Sequence, residues 1–161
     1  QLQVRIRELA EDSVGSIRDI IWAINPTTET LHGLLQHLSD GLIVSCRAKH
    51  IDLRYNYPAP DALPSRNLAP RQRQHLWLLL KEAANNSIKH SGCTVLEFQV
   101  DYGNGILDIT LRDDGVGFDR TLPNEGNGLK TMQMRAKRLA GSIELDSSPG
   151  QGTTIRIKMP I

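Results

Sequence analysis

The sequence predicts an α+β protein: a two-layer sandwich of one mixed, mainly antiparallel sheet with helices on one face, preceded by a helical arm. Three observations carry that prediction. Two pairs of strand-like segments are joined directly by glycine turns, which makes them hairpins and therefore antiparallel. Before and between them run segments whose apolar residues recur three and four apart, the helical spacing. The 161 residues suffice for one domain of ordinary size with its own core.

Each element follows in order. Leu2, Ile6, Leu9, Ile17, Ile20, Ile21 and Ile24, with Arg5, Arg7, Glu11 and Asp12 among them, describe an amphipathic helix with an apolar stripe. Asn25-Pro26 ends it, because proline disfavours helical geometry in the residue before it and has no N–H to donate. Thr27 or Thr28 is placed to cap a second helix, which carries Leu31, Leu34, Leu35, Leu38, Leu42 and Ile43 on one side and runs to about His50. From Ile51 to Tyr57 apolar and polar residues alternate, the mark of a half-buried strand. The proline-rich stretch from Pro58 to Pro70 reads as a loop, and a long helix follows over Arg71 to His90. Strands over Val95 to Tyr102 and Ile106 to Arg112 meet at Gly103-Asn104-Gly105, a strong hairpin turn. The stretch from Asp113 to Gly128 has no apolar periodicity; beyond it a helix spans Leu129 to Leu139, with Gly141 placed to close it. Strands near Ser142 to Asp146 and Thr153 to Met159 flank the turn Pro149-Gly150-Gln151-Gly152.

Composition excludes several classes. With 19 basic and 18 acidic side chains the formal charge is +1, too little for a nucleic-acid or anionic-membrane binder driven by bulk charge. A hydrophobic content of 39% with 23% charged residues belongs to a soluble globular chain. No apolar run approaches the roughly 20 residues that cross a bilayer. Cys46 and Cys93 stand far apart without a CxxC or Cys/His cluster, which points to buried reduced thiols in a cytoplasmic setting. A start at Gln1 with helical pattern from the first residues reads as a piece of something longer.

Three polar groups of residues break the rule of their neighbourhood. On the long helix Glu82, Asn86 and at least one of Lys89 and His90 share a face. A carboxylate, an amide oxygen and a cation together can orient water, ligate a hard divalent ion and neutralise phosphate; they can equally make a solvated helix face. Asp113-Asp114-Gly115-Val116-Gly117 follows a strand, where a carboxylate can accept from an exocyclic amine while glycines let the backbone approach a planar ligand, although the same residues make a common turn. Gly126-Asn127-Gly128-Leu129 opens a helix, whose free N–H groups and positive dipole end suit a phosphate chain or simply start the helix. A P-loop is excluded because Leu129 separates Gly128 from Lys130, and a dinucleotide fingerprint because the third glycine and the preceding strand are missing.

In this order and at these separations, the three groups resemble the N, G1 and G2 boxes of the GHKL superfamily, the Bergerat ATP-binding fold of gyrase, histidine kinases and MutL. Gly150-Gln151-Gly152-Thr153 is similar to that fold's closing segment. Glu82-Ala83 through Asn86 to Lys89-His90, then Asp113 to Phe118, then Gly126 to Ala136, resemble the sensor histidine kinases of the HisKA-3 type, and the segment from Ile20 to Pro26 looks like the end of their dimerisation hairpin. The resemblance implies residues 1–25 as the second helix of that hairpin and 26–161 as the ATP-binding catalytic domain. It implies Glu82 as polarising acid or water orienter, Asn86 as Mg²⁺ ligand, and Lys89 and His90 at the phosphates. It implies Asp113 at the adenine amine, Gly115 and Gly117 making room for the base, Gly126 with Gly128 forming the lid over the triphosphate, Leu129 among the nucleotide-binding residues, closure of the lid from Asp119 to Asn127, and Thr153 supporting the adenine through water. Met132 and Arg135 match family positions and receive no role; nor do the lid carboxylates of Asp119 and Glu125.

The activity so implied is transfer of the ATP γ-phosphoryl group to a histidine and thence to an aspartate of a response regulator, in the cytoplasm and with Mg²⁺. None of the five histidines precedes an acid as the acceptor should, and His90 belongs to the N box, so the acceptor is expected outside this sequence and self-phosphorylation is not expected. The stripe from Leu2 to Ile24 is expected to pair with a dimerisation helix or a second copy, or to pack back on the domain. No nucleic acid and no direct membrane contact are expected. Two other readings stay open: an anti-sigma-type serine kinase or ATPase on the same fold, and a non-enzymatic nucleotide-binding dimerisation module.

Overall fold

The computed structural model describes residues 17, 21, 30–121 and 127–161. The arm from Leu2 to Ile24 and the segment from Ile20 to Pro26 therefore lie outside the described residues, except that Ile17 and Ile21 are helical and exposed. The described elements are α1 (Leu31–Ala48), β1 (Asp52–Asn56), α2 (Pro70–His90), β2 (Val95–Gly103), β3 (Ile106–Asp113), α3 (Gly128–Arg138), β4 (Ser142–Ser147) and β5 (Thr153–Pro160). The proline-rich loop also holds a short 3₁₀ turn over Pro60–Ala62.

The helix α1 starts later than Thr27 or Thr28 predicts. Thr30 is its cap, with Oγ1 accepting the Gly33 N–H at 3.1 Å. That start puts Leu31, Leu34, Leu35, Leu38, Leu42 and Cys46 on the buried side, while Ile43 is only half-buried. At α2, Pro70 opens the helix and the Gln72 side chain accepts the Ala69 N–H at 3.1 Å.

One five-stranded sheet has the order β1-β2-β3-β5-β4. All neighbours pair antiparallel except β1 and β2, which run parallel because α2 carries the chain back between them. The hairpin β2–β3 closes through Asn104 (φ 53°) and Gly105 (φ 75°), the two left-handed residues that a twisted two-residue turn demands. Alternation fills one face: Leu96, Phe98 and Val100 of β2, Leu107, Ile109 and Leu111 of β3, and Ile155, Ile157 and Met159 of β5 are all buried. Register stacks Phe98 beside Leu111 and Ile109 beside Ile157. Onto this face pack Leu76, Leu79, Leu80 and Ala83 of α2 and the leucines of α1, so the sheet's helix-covered side is the core. The sandwich is the α+β architecture that the sequence predicts. Cys46 and Cys93 are free and buried in it, and burial, with Cys93 second, pushes the Cys46 thiol up to about 11.

The end of α3 is a Schellman motif, with Gly141 N–H bonded to Ala136 C=O at 2.9 Å and Ala140 N–H to Lys137 C=O at 3.0 Å. Its left-handed residue is Ala140 (φ 54°), one position before the expected Gly141. Gly141 is glycine for another reason: a Cβ there would collide with the Lys158 carbonyl of β5. Replacing Ala140 by glycine is expected to stabilise the fold by about 1 kcal/mol, since the left-handed conformation penalises a Cβ. Calorimetric melting should show Tm rising by roughly 3 °C.

Candidate functional site

The sheet delivers one residue to the mouth of the sandwich with its charge covered. Asp113, the last residue of β3, is 3% exposed. Its Oδ1 accepts the Gly115 N–H at 3.0 Å and the Thr153 N–H at 3.2 Å, and its Oδ2 accepts the Ser87 hydroxyl at 2.6 Å. Three donors, from α2, β5 and the loop after β3, therefore fix the carboxylate plane and its orientation. The register that pairs Asp113 with Thr153 places the two side by side.

The second aspartate of the pair does different work. Asp114 is exposed; its Oδ1 accepts the Thr94 and Val95 N–H groups, both at 2.8 Å, and its Oδ2 the Thr94 hydroxyl at 2.6 Å. These bonds, the Thr94 hydroxyl first, hold its carboxyl below the usual range. Asp114 thus ties the start of β2 to the end of β3, and the stability it lends is present above the unfolded aspartate pKa and lost as pH falls through its lowered native value.

Beside Asp113 opens a cleft of about 490 Å³ walled by Glu82, Asn86, Ser87, His90 and Ser91 of α2 and its cap. Val116, Gly117 and Phe118 from the loop, Gly128, Leu129 and Met132 of α3, and Leu145, Thr153 and Ile155 of the sheet complete it. The volume suits a small molecule, and the mixture suits one with an apolar ring and a polar tail. Apolar Leu129, Met132, Leu145 and Ile155 share the cleft with the acceptor Asp113, while Glu82, Asn86 and His90 stand along α2 beside the start of α3.

Sequence-predicted residues fall as follows. Glu82, Asn86, His90, Asp113, Gly117, Gly128, Leu129 and Thr153 come together in this cleft. Lys89 is exposed on the last turn of α2 and is not among the cleft residues. Gly126, Glu125 and most of the segment from Asp119 to Asn127 lie outside the described residues. Gly115 is set behind the wall: a Cβ there would collide with Ser91, whose C=O accepts the Val116 N–H at 2.8 Å. Its glycine thus allows the loop to close on the end of α2, a reason other than space for a base. Gly117 (φ 59°) and Gly152 (φ 73°) are glycine by conformation and by contact, the one against the Ser148 carbonyl and the other against that of Asp113.

Ser87, Ser91 and Leu145 received no reading from the sequence, and Phe118 was read only as the end of the second group, without a role of its own. A signal existed for Ser87, a small polar residue on the buried stripe of Leu76, Leu80, Ala83 and Ala84. Ser91 continues it one turn on, its hydroxyl donating to the Ser87 C=O at 2.6 Å and accepting the Cys93 N–H at 3.1 Å. Met132 both lines the cleft and is buried in the core.

Fold and cleft together define a class: α+β sandwiches that bind a small ligand between a sheet-end carboxylate and the start of a helix. The family of histidine kinase-, DNA gyrase B- and HSP90-like ATPases matches residues 71–161, and the chain belongs to that family, as an ATP-binding domain. Among curated relatives, it is 35% identical over 100 residues to the sensor protein NarQ homolog of Haemophilus influenzae, covering 61% of this chain and 18% of that protein. It is 33% identical over 166 residues to the signal transduction histidine-protein kinase/phosphatase DegS of Brevibacillus brevis, covering 97% and 40%. The chain thus spans less than half the length of these relatives. Among solved structures, the histidine kinase domain of the Erythrobacter litoralis EL346 blue-light activated kinase superposes with a TM-score of 0.68 at 19% identity, over 98% of this chain and 82% of that one, a likeness of fold.

Proposed function

We propose that this chain is the catalytic, ATP-binding part of a HisKA-3-type sensor histidine kinase, presenting the γ-phosphoryl group of ATP to a histidine outside this sequence. The observation that supports it best is Asp113, buried at the cleft and already accepting three hydrogen bonds in fixed directions. A carboxylate so oriented accepts the adenine amine and rejects a base that offers a carbonyl there. Phe118, Leu145 and Ile155 give the ring an apolar seat, and Thr153 stands next to Asp113 for a bridging water. From the base the triphosphate would run toward Gly128 and Leu129, where the first N–H groups of α3 suit phosphate oxygens. His90 adds a donor there, and Lys89, exposed on the same turn, would supply a cation to the phosphates.

Mg²⁺ fits the donor set. The Asn86 carboxamide and the Glu82 carboxylate are hard oxygen donors one helical turn apart on one cleft wall. Among the described residues no group of three or more His, Cys, Asp or Glu side chains gathers, so most ligands would come from phosphates and water. The ion neutralises phosphate charge when bound. Asn86 would hold it, and Glu82 would orient water or polarise the acceptor nitrogen. The onward aspartate belongs to a response regulator, as two-component chemistry requires, and the arm over 1–25 would pair as part of a dimerisation hairpin. Among the described residues no helix is long and apolar enough to cross a membrane; the reaction's cytoplasmic setting is part of the proposal.

Titrating a non-hydrolysable ATP analogue with Mg²⁺ into the chain in a calorimeter tests the reading. The expected result is binding in the micromolar range, about 8 kcal/mol, with the guanine counterpart at least tenfold weaker. No heat from the adenine nucleotide, or equal affinity for both, would overturn it.

A further inference from the structure

Ser39, Ser87 and Ser91 are buried serines in or at the end of a helix, and they spend their protons differently. Ser39 of α1 donates to the Leu35 C=O at 2.9 Å, and Ser91, the cap of α2, to the Ser87 C=O at 2.6 Å. Both bonds run four residues back, the local arrangement that a helical serine finds without help from the rest of the fold. Ser87 instead sends its hydroxyl across to β3, where it donates to Asp113 Oδ2 at 2.6 Å.

That bond gives the two oxygens of Asp113 different holders. Oδ1 accepts the Gly115 and Thr153 N–H groups at 3.0 and 3.2 Å, both of them main chain. Among the described residues Ser87 is the donor to Oδ2. A carboxylate has about four acceptor positions in its plane. Two N–H groups take those of Oδ1 and the hydroxyl takes one of Oδ2, so the position left open is on Oδ2. Asp113 and Ser87 both line the cleft. With its single proton committed, the serine offers the cleft no donor. The open position therefore stands among acceptors, which receive an amine and repel a carbonyl.

We propose that Ser87 is a positioning residue of the base site, whose hydroxyl holds Asp113 Oδ2 as the one acceptor left for the exocyclic amine of the nucleotide base. The proposal deepens the ATP-binding reading and rests on it. Without the hydroxyl, the two N–H groups still hold Oδ1, but the carboxylate can tilt about that oxygen and Oδ2 takes water from the cleft in the serine's place. Stability should change little, because alanine favours the helix more than serine does and leaves no protein donor unpaired. What goes is direction: the amine meets an oxygen that is shared with water and no longer fixed.

The test pairs the serine with the atom of the base it serves. Calorimetry reads the affinities of the unsubstituted chain, Ser87→Ala and Ser87→Cys for a non-hydrolysable ATP analogue and for its counterpart on unsubstituted purine, which has hydrogen in place of the amine. Urea unfolding accompanies each variant. Ser87→Ala should bind the adenine analogue about tenfold more weakly and the purine counterpart within about twofold of the unsubstituted chain, a split on the scale of one hydrogen bond. Ser87→Cys keeps the shape with a weaker donor and should fall between; where alanine unsettles the fold, the cysteine variant carries the same comparison. Equal losses for the two bases would make Ser87 only a tie between α2 and β3, and an unchanged adenine affinity would leave it without a part in binding. Either result overturns the positioning role while nucleotide binding stands. No binding of the adenine analogue by the unsubstituted chain would overturn the ATP-binding reading and this proposal with it.

Discussion

Asp113→Asn is expected to abolish nucleotide binding, by at least about 100-fold, while the fold survives. The reason lies in which oxygen has which partners. Two backbone N–H groups converge on Oδ1, from Gly115 and Thr153, and neither can turn. The asparagine must therefore put its carbonyl oxygen there and its NH₂ where Oδ2 stood. The Ser87 hydroxyl, which donates to Oδ2 at 2.6 Å, can rotate to accept instead, so no buried group is left unpaired. What changes is the sign presented to the cleft: the adenine amine, a donor, meets a donor. Losing a charge-assisted hydrogen bond and gaining that repulsion is worth roughly 3 kcal/mol. Calorimetric titration beside a urea unfolding curve checks it. Unchanged affinity in a folded variant would remove Asp113 from the site.

Gly152→Ala should do comparable damage by a different route, and Gly150→Ala should not. Both glycines are left-handed, at φ 73° and 77°, so each substitution carries about 1 kcal/mol of conformational penalty. At Gly150 an added Cβ meets nothing within 4 Å. At Gly152 it would collide with the Asp113 carbonyl and crowd Asp114 Cα. The backbone must then shift where β5 begins, and overpacking of this kind adds about 2 kcal/mol. That shift also moves the Thr153 N–H off Asp113 Oδ1, so nucleotide affinity should fall along with stability. Paired urea denaturation of the two variants isolates the collision: a difference near zero would mean the turn yields freely and does not hold Asp113.

The long helix, both hairpins and their turns were readable because each is written in a short window. Leucines at helical spacing mark α2, and Asn104-Gly105 can close only a tight turn. Glu82 and Asn86 stood out as polar residues sharing one face of the long helix, Asp113 and Gly128 as an acid and a glycine at element ends, where chemistry and chain geometry compete, and Thr153 through the family resemblance. Helix limits were less legible: Thr27, Thr28 and Thr30 are all capable caps, and burial of Leu31 with Leu34 and Leu35 chose Thr30. Ala140 shows the same limit, because a left-handed alanine is a cost accepted locally so that Gly141 can pass the Lys158 carbonyl.

The sequence by itself determined the order and type of the elements, the two-layer class and the family, since periodicity, turn chemistry and box spacing are local properties of the chain. Tertiary structure decided the rest. It set β1 parallel to β2, split the Asp113-Asp114 pair into a cleft acceptor and a strand tie, and gave Gly115 its reason in Ser91. It also brought partners together across 26 residues for Ser87 and Asp113, 40 for Asp113 and Thr153, and 60 for His75 and Arg135. No window of sequence contains those pairs, because a hydrogen bond depends on a few tenths of an ångström that only the packed helices and the sheet register supply.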